Sequence, residues 1–202
     1  VNDDSSAADA EIIATVIDCF NEIGISDFQI EIGQIDYFKG LVAESGISED
    51  EEDQIKEYIH IKNFFGLEEY VDALDISDSL KKAFVAFDSL FGGISMLDKA
   101  EGYVSNETSL EAVKRLRRVY AALECYGYQD HISFDLGMLD GYNYYTGIIF
   151  RAVTYEVGEP VANGGRYDEL ICQYGKSAAS IGFSVNVDFV LLALNRQKIT
   201  LP

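Results

Sequence analysis

Cations are scarce in this sequence: 15 Lys and Arg stand against 35 Asp and Glu, giving a net charge of −20. Affinity for nucleic acids comes mainly from cations that neutralise phosphates, so this balance weighs against nucleic acid as a partner. The acidity reads instead as solubility and mutual repulsion between molecules. Proline is nearly absent, with two residues, and there are no low-complexity tracts, which argues against disorder. The two histidines, His60 and His131, have no ligand-like neighbours. The three cysteines, Cys19, Cys125 and Cys172, stand apart from one another without CxxC or Cys/His spacing. That pattern suggests neither a disulfide framework nor a zinc site, and neither a metal nor a cofactor is expected. No apolar run is long enough to cross a membrane and no signal-peptide pattern opens the chain, so the expectation is a soluble cytoplasmic protein without a membrane partner.

What is present is ample core material. Hydrophobic residues make up 48% of the 202 positions, enough for one domain, or one domain carrying a substantial insertion. Ser6-Ala7-Ala8-Asp9 resembles a capping box with Asp in place of Glu. After it, Ile12, Ile13, Val16, Ile17, Phe20 and Ile23 recur at helical spacing, with Gly24 as a stop. Phe28, Ile30 and Ile32 alternate with Gln29 and Glu31, which predicts a strand with one buried face. From about Ile35 to Tyr126 the pattern is helical almost throughout. Ser48 with Glu51 forms a second capping box, Leu80, Phe84, Phe87 and Phe91 repeat at helical spacing, and Leu110 to Leu123 is amphipathic. Within that last run, Lys114, Arg115, Arg117 and Arg118 read as a solvated helix face. A short strand follows at His131–Phe134, a longer one at Tyr144–Tyr155 and another at Ser180–Val185, with a turn at Val157–Pro160, a helix after Asp168 and a last helix at Val187–Leu194. The fold class expected is α+β, a mainly antiparallel sheet flanked by helices. Residues 35–115 are expected to form a helical insertion between two parts of the core, 1–34 and 116–202.

Three segments could carry chemistry. In Tyr142-Asn143-Tyr144-Tyr145-Thr146-Gly147, strand alternation places Asn143 and Tyr145 on one face. A buried tyrosine needs a partner for its hydroxyl, so adjacent tyrosines are either core packing or part of a ligand site. In Asn163-Gly164-Gly165-Arg166-Tyr167-Asp168, paired glycines permit close backbone approach and Arg166 can fork onto a carboxylate, although for this run taken alone a tight turn capped by Asp168 is the favoured reading. The third segment, Ser180 to Asp188, is a strand entering a helix. No Ser/His/Asp or Cys/His arrangement emerges, and the residues alone reach only a small polar ligand near tyrosines and a Gly-Gly turn.

The order of these segments is more specific than any one of them. Ala8-Asp9-Ala10-Glu11 leading a helix, Glu31-Ile32-Gly33 in a strand, YYTG, GGRYD and a Gly182-Phe183 strand before a final helix resemble the class II histidyl-tRNA synthetase catalytic core. The resemblance spans essentially the whole chain and implies a class II synthetase-like sheet with a helical insertion. It also implies that the N-terminal part of that domain, with its dimer-building and ATP-gripping motifs, lies upstream of Val1; the opening carries no initiator Met. In synthetases the run before the paired tyrosines carries an arginine, where this chain has Asp140. The final helix carries another that contacts ATP, where this chain has Phe189, with Asn186 at a glycine position and Asp188 at a glutamate position. A carboxylate in place of a cation repels the anionic groups that adenylate formation must bring together. No catalytic residue is therefore expected. What survives is the amino-acid side: Tyr145, Tyr167, Gly164, Gly165, Arg166 and Asn143 are candidates for a histidine pocket. Such a pattern, with GYNYYTGIIFRA, is similar to the regulatory-subunit branch of ATP phosphoribosyltransferase. That branch implies a short-form catalytic chain as partner, free histidine as ligand and self-association of the full-length protein. A divergent histidyl-tRNA synthetase is the alternative.

Overall fold

A computed structural model describes residues 2–139, 144–170, 172, 175 and 178–199. The chain runs α1 (Ser6–Glu22), β1 (Phe28–Gln34), α2 (Ile35–Ser45), α3 (Glu49–His60), α4 (Phe64–Asp72), α5 (Asp78–Val85), β2 (Phe91–Gly92), α6 (Met96–Gly102), α7 (Glu107–Tyr126), β3 (Ile132–Asp135), β4 (Ile148–Thr154), β5 (Ala162–Arg166), β6 (Ile181–Val185) and α8 (Val187–Arg196). The six strands form one sheet in the order β2-β3-β1-β4-β5-β6. Only the β1–β3 pair is parallel; every other neighbour is antiparallel. The α+β expectation holds, and the crossover that makes the single parallel pair contains α2 to α7.

The period of two in β1 is what aims the sheet. Phe28, Ile30 and Ile32 are buried in the main core with Ile13, Ile17 and Phe20 of α1 and Leu116, Val119 and Leu123 of α7. Burying a side chain of this size contributes ~1.5–3 kcal/mol, so this face is the larger stabilising one. The opposite face carries two cross-strand rows in register. One is Ser133, Glu31, Arg151, Asn163 and Ser184; the other is Gly33, Ile149, Gly165 and Gly182. A charged row and a glycine row thus lie side by side.

Several sequence expectations are corrected. The cap of α1 is Ser5, whose hydroxyl accepts from the Ala8 amide at 3.2 Å, and Asp9 is not part of a box: it is fully buried. Phe91 leaves the helical stripe of Leu80 and Phe84, because α5 ends at Val85 and the chain reaches β2, where Phe91 is 65% exposed. Tyr144 lies in a turn and β4 starts only at Ile148. The helix anticipated after Asp168 falls largely outside the described residues; of those described, Asp168 to Leu170 form a turn and Cys172 has 3-10 conformation. The Ser48–Glu51 capping box is present with both reciprocal bonds.

The basic run on α7 is no free face. Arg115 bonds Asp9 and the Asp4 carbonyl, Arg117 pairs with Asp98 and Glu101, and both Arg118 and Lys114 pair with Glu111. Arg115 is the most buried of the four, with 21% of its side chain exposed, while Lys114 and Arg118 keep 57% and 51% exposed and remain on a solvated face.

Candidate functional site

The tyrosines of the two central motifs meet over the glycine row. A side chain at Gly165 would place its Cβ 2.7 Å from the Tyr145 ring, and one at Gly182 would come within 2.7 Å of the Tyr167 hydroxyl. The absence of both side chains lets these aromatic groups lie down on the sheet. Gly164 faces the other way and is equally constrained: its Cβ would meet Phe150 at 2.4 Å and the Gly182 carbonyl at 2.6 Å. The paired glycines therefore leave side-chain space on both faces of one strand, with the missing Cβ of Gly164 on the core side and that of Gly165 under Tyr145.

Tyr144 meets Tyr145 edge-on at 4.8 Å and 82°, and leans on Tyr167 at 5.6 Å and 32°. Such contacts contribute ~0.5–1.5 kcal/mol each beyond burial. The three rings, with Asn163, Gly164, Gly182, Phe183 and Ser184, line a cleft of about 190 Å³. Burial raises the Tyr145 hydroxyl above the ordinary tyrosine range, with Tyr144 and Tyr167 adding to it, so the group stays a neutral donor at physiological pH.

A polar clip holds the two motifs together. The Thr146 amide donates to the Arg166 carbonyl at 2.7 Å, and the Asp168 amide donates to the Thr146 hydroxyl at 3.0 Å. Asp168 Oδ1 accepts from the Ser180 amide at 2.7 Å and from Arg166 at 3.1 Å, so Asp168 ties the end of β5 to the start of β6.

Arg166 stands apart from the cleft. Only 2% exposed, it puts two guanidinium nitrogens on Asp9 Oδ1, at 3.0 and 2.7 Å, while Arg115 takes Asp9 Oδ2 at 2.7 Å. Burial opposes its charge, but the bonds to Asp9 prevail and hold the guanidinium more firmly protonated than usual. Arg166 forks onto a carboxylate as its chemistry allows, and that carboxylate belongs to α1. The structure thus brings Tyr145, Tyr167 and Gly164 to the cleft wall, sets Gly165 beneath Tyr145, and spends Arg166 on joining α1, β5 and α7. Asn143 and Asp140 lie outside the described residues.

At the end of β6 the Asn186 side chain accepts from the Phe189 amide at 3.2 Å and caps α8. Phe189 is half-buried and packs against the main core, leaving an apolar ring at the position the resemblance gives to an arginine. Among the described residues no group of three or more His, Cys, Asp or Glu could hold a metal, and no helix is long and apolar enough to cross a membrane.

Sequence reasoning missed Asp9, which it placed in a cap, and Arg115, which it left to solvent. Both belong to the scaffold of this site.

A helical layer on a largely antiparallel sheet, with YYTG and GGRYD clasped across adjacent strands, defines a class II synthetase-like module. Residues 1–190 match the histidyl-tRNA synthetase family model, and the chain belongs to that family. It is 45% identical over 192 residues to an ATP phosphoribosyltransferase regulatory subunit of Acetivibrio thermocellus, covering 95% of this chain and 46% of that protein. A Bacillus halodurans structure described as an ATP phosphoribosyltransferase regulatory subunit/histidyl-tRNA synthetase superposes with a TM-score of 0.90 at 32% identity, over 96% of this chain and 51% of that one. Histidyl-tRNA synthetase from Nostoc sp. PCC 7120 shares the fold, with a TM-score of 0.82 at 22% identity over 100% of this chain and 50% of that one. The chain spans about half the length of the relatives it matches.

Proposed function

We propose that the full-length protein is a non-catalytic regulatory subunit of ATP phosphoribosyltransferase. It assembles with a separate short-form catalytic chain and serves the first step of histidine biosynthesis and its feedback response to histidine. The observation that carries this reading is the 45% identity, along 95% of the chain, to a relative named as such a subunit. Phe189 agrees with it: an apolar ring packed on the core offers no charge to a triphosphate. The tyrosine cleft, neutral and hydroxyl-lined, suits a small polar ligand, and free histidine is the ligand we assign to it. Self-association of the full-length protein belongs to the same reading, since the resemblance puts the dimer-building motif in the upstream part.

The test is co-expression of the full-length protein with a short-form catalytic chain, followed by native mass spectrometry. A mixed complex is expected. Histidine-dependent ATP–pyrophosphate exchange by the full-length protein, above a no-enzyme control, would identify a working synthetase instead.

A further inference from the structure

The charged row of the sheet floors a second hollow, of about 350 Å³. That volume falls in the ~300–1,000 Å³ range of small-molecule sites. Glu31 and Arg151 lie on its floor with Asp135 at the end of β3, Phe64 and Phe91 stand on its walls, and Lys62 follows α3 at its border.

The charges here are unevenly satisfied. Arg151 Nε bonds Glu31 Oε2 at 2.5 Å, a directly cross-strand pair that largely compensates itself. Asp135 is less well served. Its Oδ1 accepts from the Gly137 amide at 2.9 Å, but Oδ2 reaches Arg151 only at 3.6 Å, too long for a good hydrogen bond. Burial holds this carboxyl above the usual carboxylate range, so the floor keeps an acceptor whose ionised form wants a cation.

Lys62 supplies the opposite sign. It ends α3 in the left-handed region, φ 55°, with its amide on the Ile59 carbonyl and the Asn63 amide on the Tyr58 carbonyl. Glycine is the usual residue at such a helix end, because a side chain there costs ~1 kcal/mol. The chain carries a lysine where glycine would be less strained, and does so beside a half-buried carboxylate. Phe91 adds a ring that is 65% exposed, which a ligand would cover.

We propose that this hollow binds a small zwitterion of amino-acid size, its ammonium on Asp135, its carboxylate facing Lys62 and its apolar body against Phe64 and Phe91. An anion alone would meet Glu31, Asp88 and Asp135, and a cation alone would meet Lys62 and Arg151. Only a molecule carrying both charges meets complementary groups at each end.

The experiment is saturation-transfer NMR on the full-length protein with each of the twenty L-amino acids, followed by Kd measurement for the strongest binder. That binder is compared with its decarboxylated amine and its deaminated acid. Both analogues are expected to bind at least about tenfold more weakly. Lys62→Gln, at an exposed position where folding is not at risk, should weaken the amino acid about tenfold and leave the amine unchanged. Asp135→Asn should weaken both amino acid and amine, while Tyr145→Phe should leave both as they are. Three results overturn the proposal: no amino acid binding below about 10 mM (a Kd equivalent to ~2.7 kcal/mol), an analogue binding as tightly as the amino acid, or binding that Tyr145→Phe abolishes and Lys62→Gln leaves untouched. The last would place the ligand in the tyrosine cleft.

Discussion

The two hollows share one sheet face and are made from opposite materials. The tyrosine cleft rests on Gly165 and Gly182 and is walled by neutral rings, and the arginine of its GGRYD motif, Arg166, is held behind β5 on Asp9. The second hollow rests on Glu31 and Arg151, with Asp135 partly served and Lys62 at its border. The first is therefore set by shape and the second by charge. A row of missing side chains makes a site sensitive to any added atom, whereas a row of charges makes one sensitive to protonation and to loss of a partner. The cleft also depends on a distant scaffold, because Arg166 ties it to α1 and α7.

The largest effect is expected where that scaffold is cut. Asp9→Ala would leave Arg166, 2% exposed, and Arg115 without their shared carboxylate. Breaking a buried ion network in this way costs ~3–5 kcal/mol. Urea denaturation of the full-length protein should show that loss, and a change below ~1 kcal/mol would mean the triad is not what holds the cleft.

Next comes the glycine row. Gly165→Ala places a Cβ 2.8 Å from the Ile148 carbonyl as well as against the Tyr145 ring. Backbone cannot yield as a ring can, so ~1–3 kcal/mol is expected from overpacking. Gly182→Ala meets only the hydroxyl end of Tyr167 closely, so it should cost less stability while shifting Tyr167 in the cleft. Equal losses in the two variants, read from denaturation midpoints, would break the account of which contact is rigid.

The charged row should answer more quietly. Arg151→Gln removes a pair whose side chains are 26% and 28% exposed, and solvent screening limits the loss to ~0.2–1 kcal/mol. The smallest effect is a slope. Burial raises the Asp135 carboxyl, so the folded state holds a proton that the unfolded chain has released above pH ~3.9. Stability contributed there is present below that point and falls as pH rises through the raised value. Asp135→Asn should flatten this decline, and thermal melts at stepped pH check it; an unchanged slope would assign the pH dependence to another group, such as the half-buried Asp36.

Periodicity in the chain was enough to read β1, α7 and α8, because alternation and the 3.6-residue repeat are local signals. It misread Asp9 and Phe91 for a common reason. An Asp three residues beyond Ser6 looks like a cap partner, but Arg115 and Arg166, which decide its fate, are over a hundred positions away. Phe91 continues an aromatic spacing whose helix has already ended at Val85. The tyrosines and glycines of the cleft were legible as motifs, but not the reason for the glycines, which is cross-strand: Gly165 faces Tyr145 from another segment. The second hollow left only a trace in sequence, the polar positions of β1. Its pairing of Glu31 with Arg151 spans 120 positions and exists only once β1 and β4 are in register.

The most direct test of the regulatory reading is the turnover of a short-form ATP phosphoribosyltransferase chain, measured with and without the full-length protein across a histidine titration. The account predicts that adding the protein changes the rate and makes it respond to histidine, with a coupling of ~1–3 kcal/mol, or about 5–150-fold in apparent affinity. Tyr145→Phe should move that response to higher histidine. If the catalytic chain turns over at the same rate and with the same histidine response whether or not the protein is present, the regulatory assignment is contradicted.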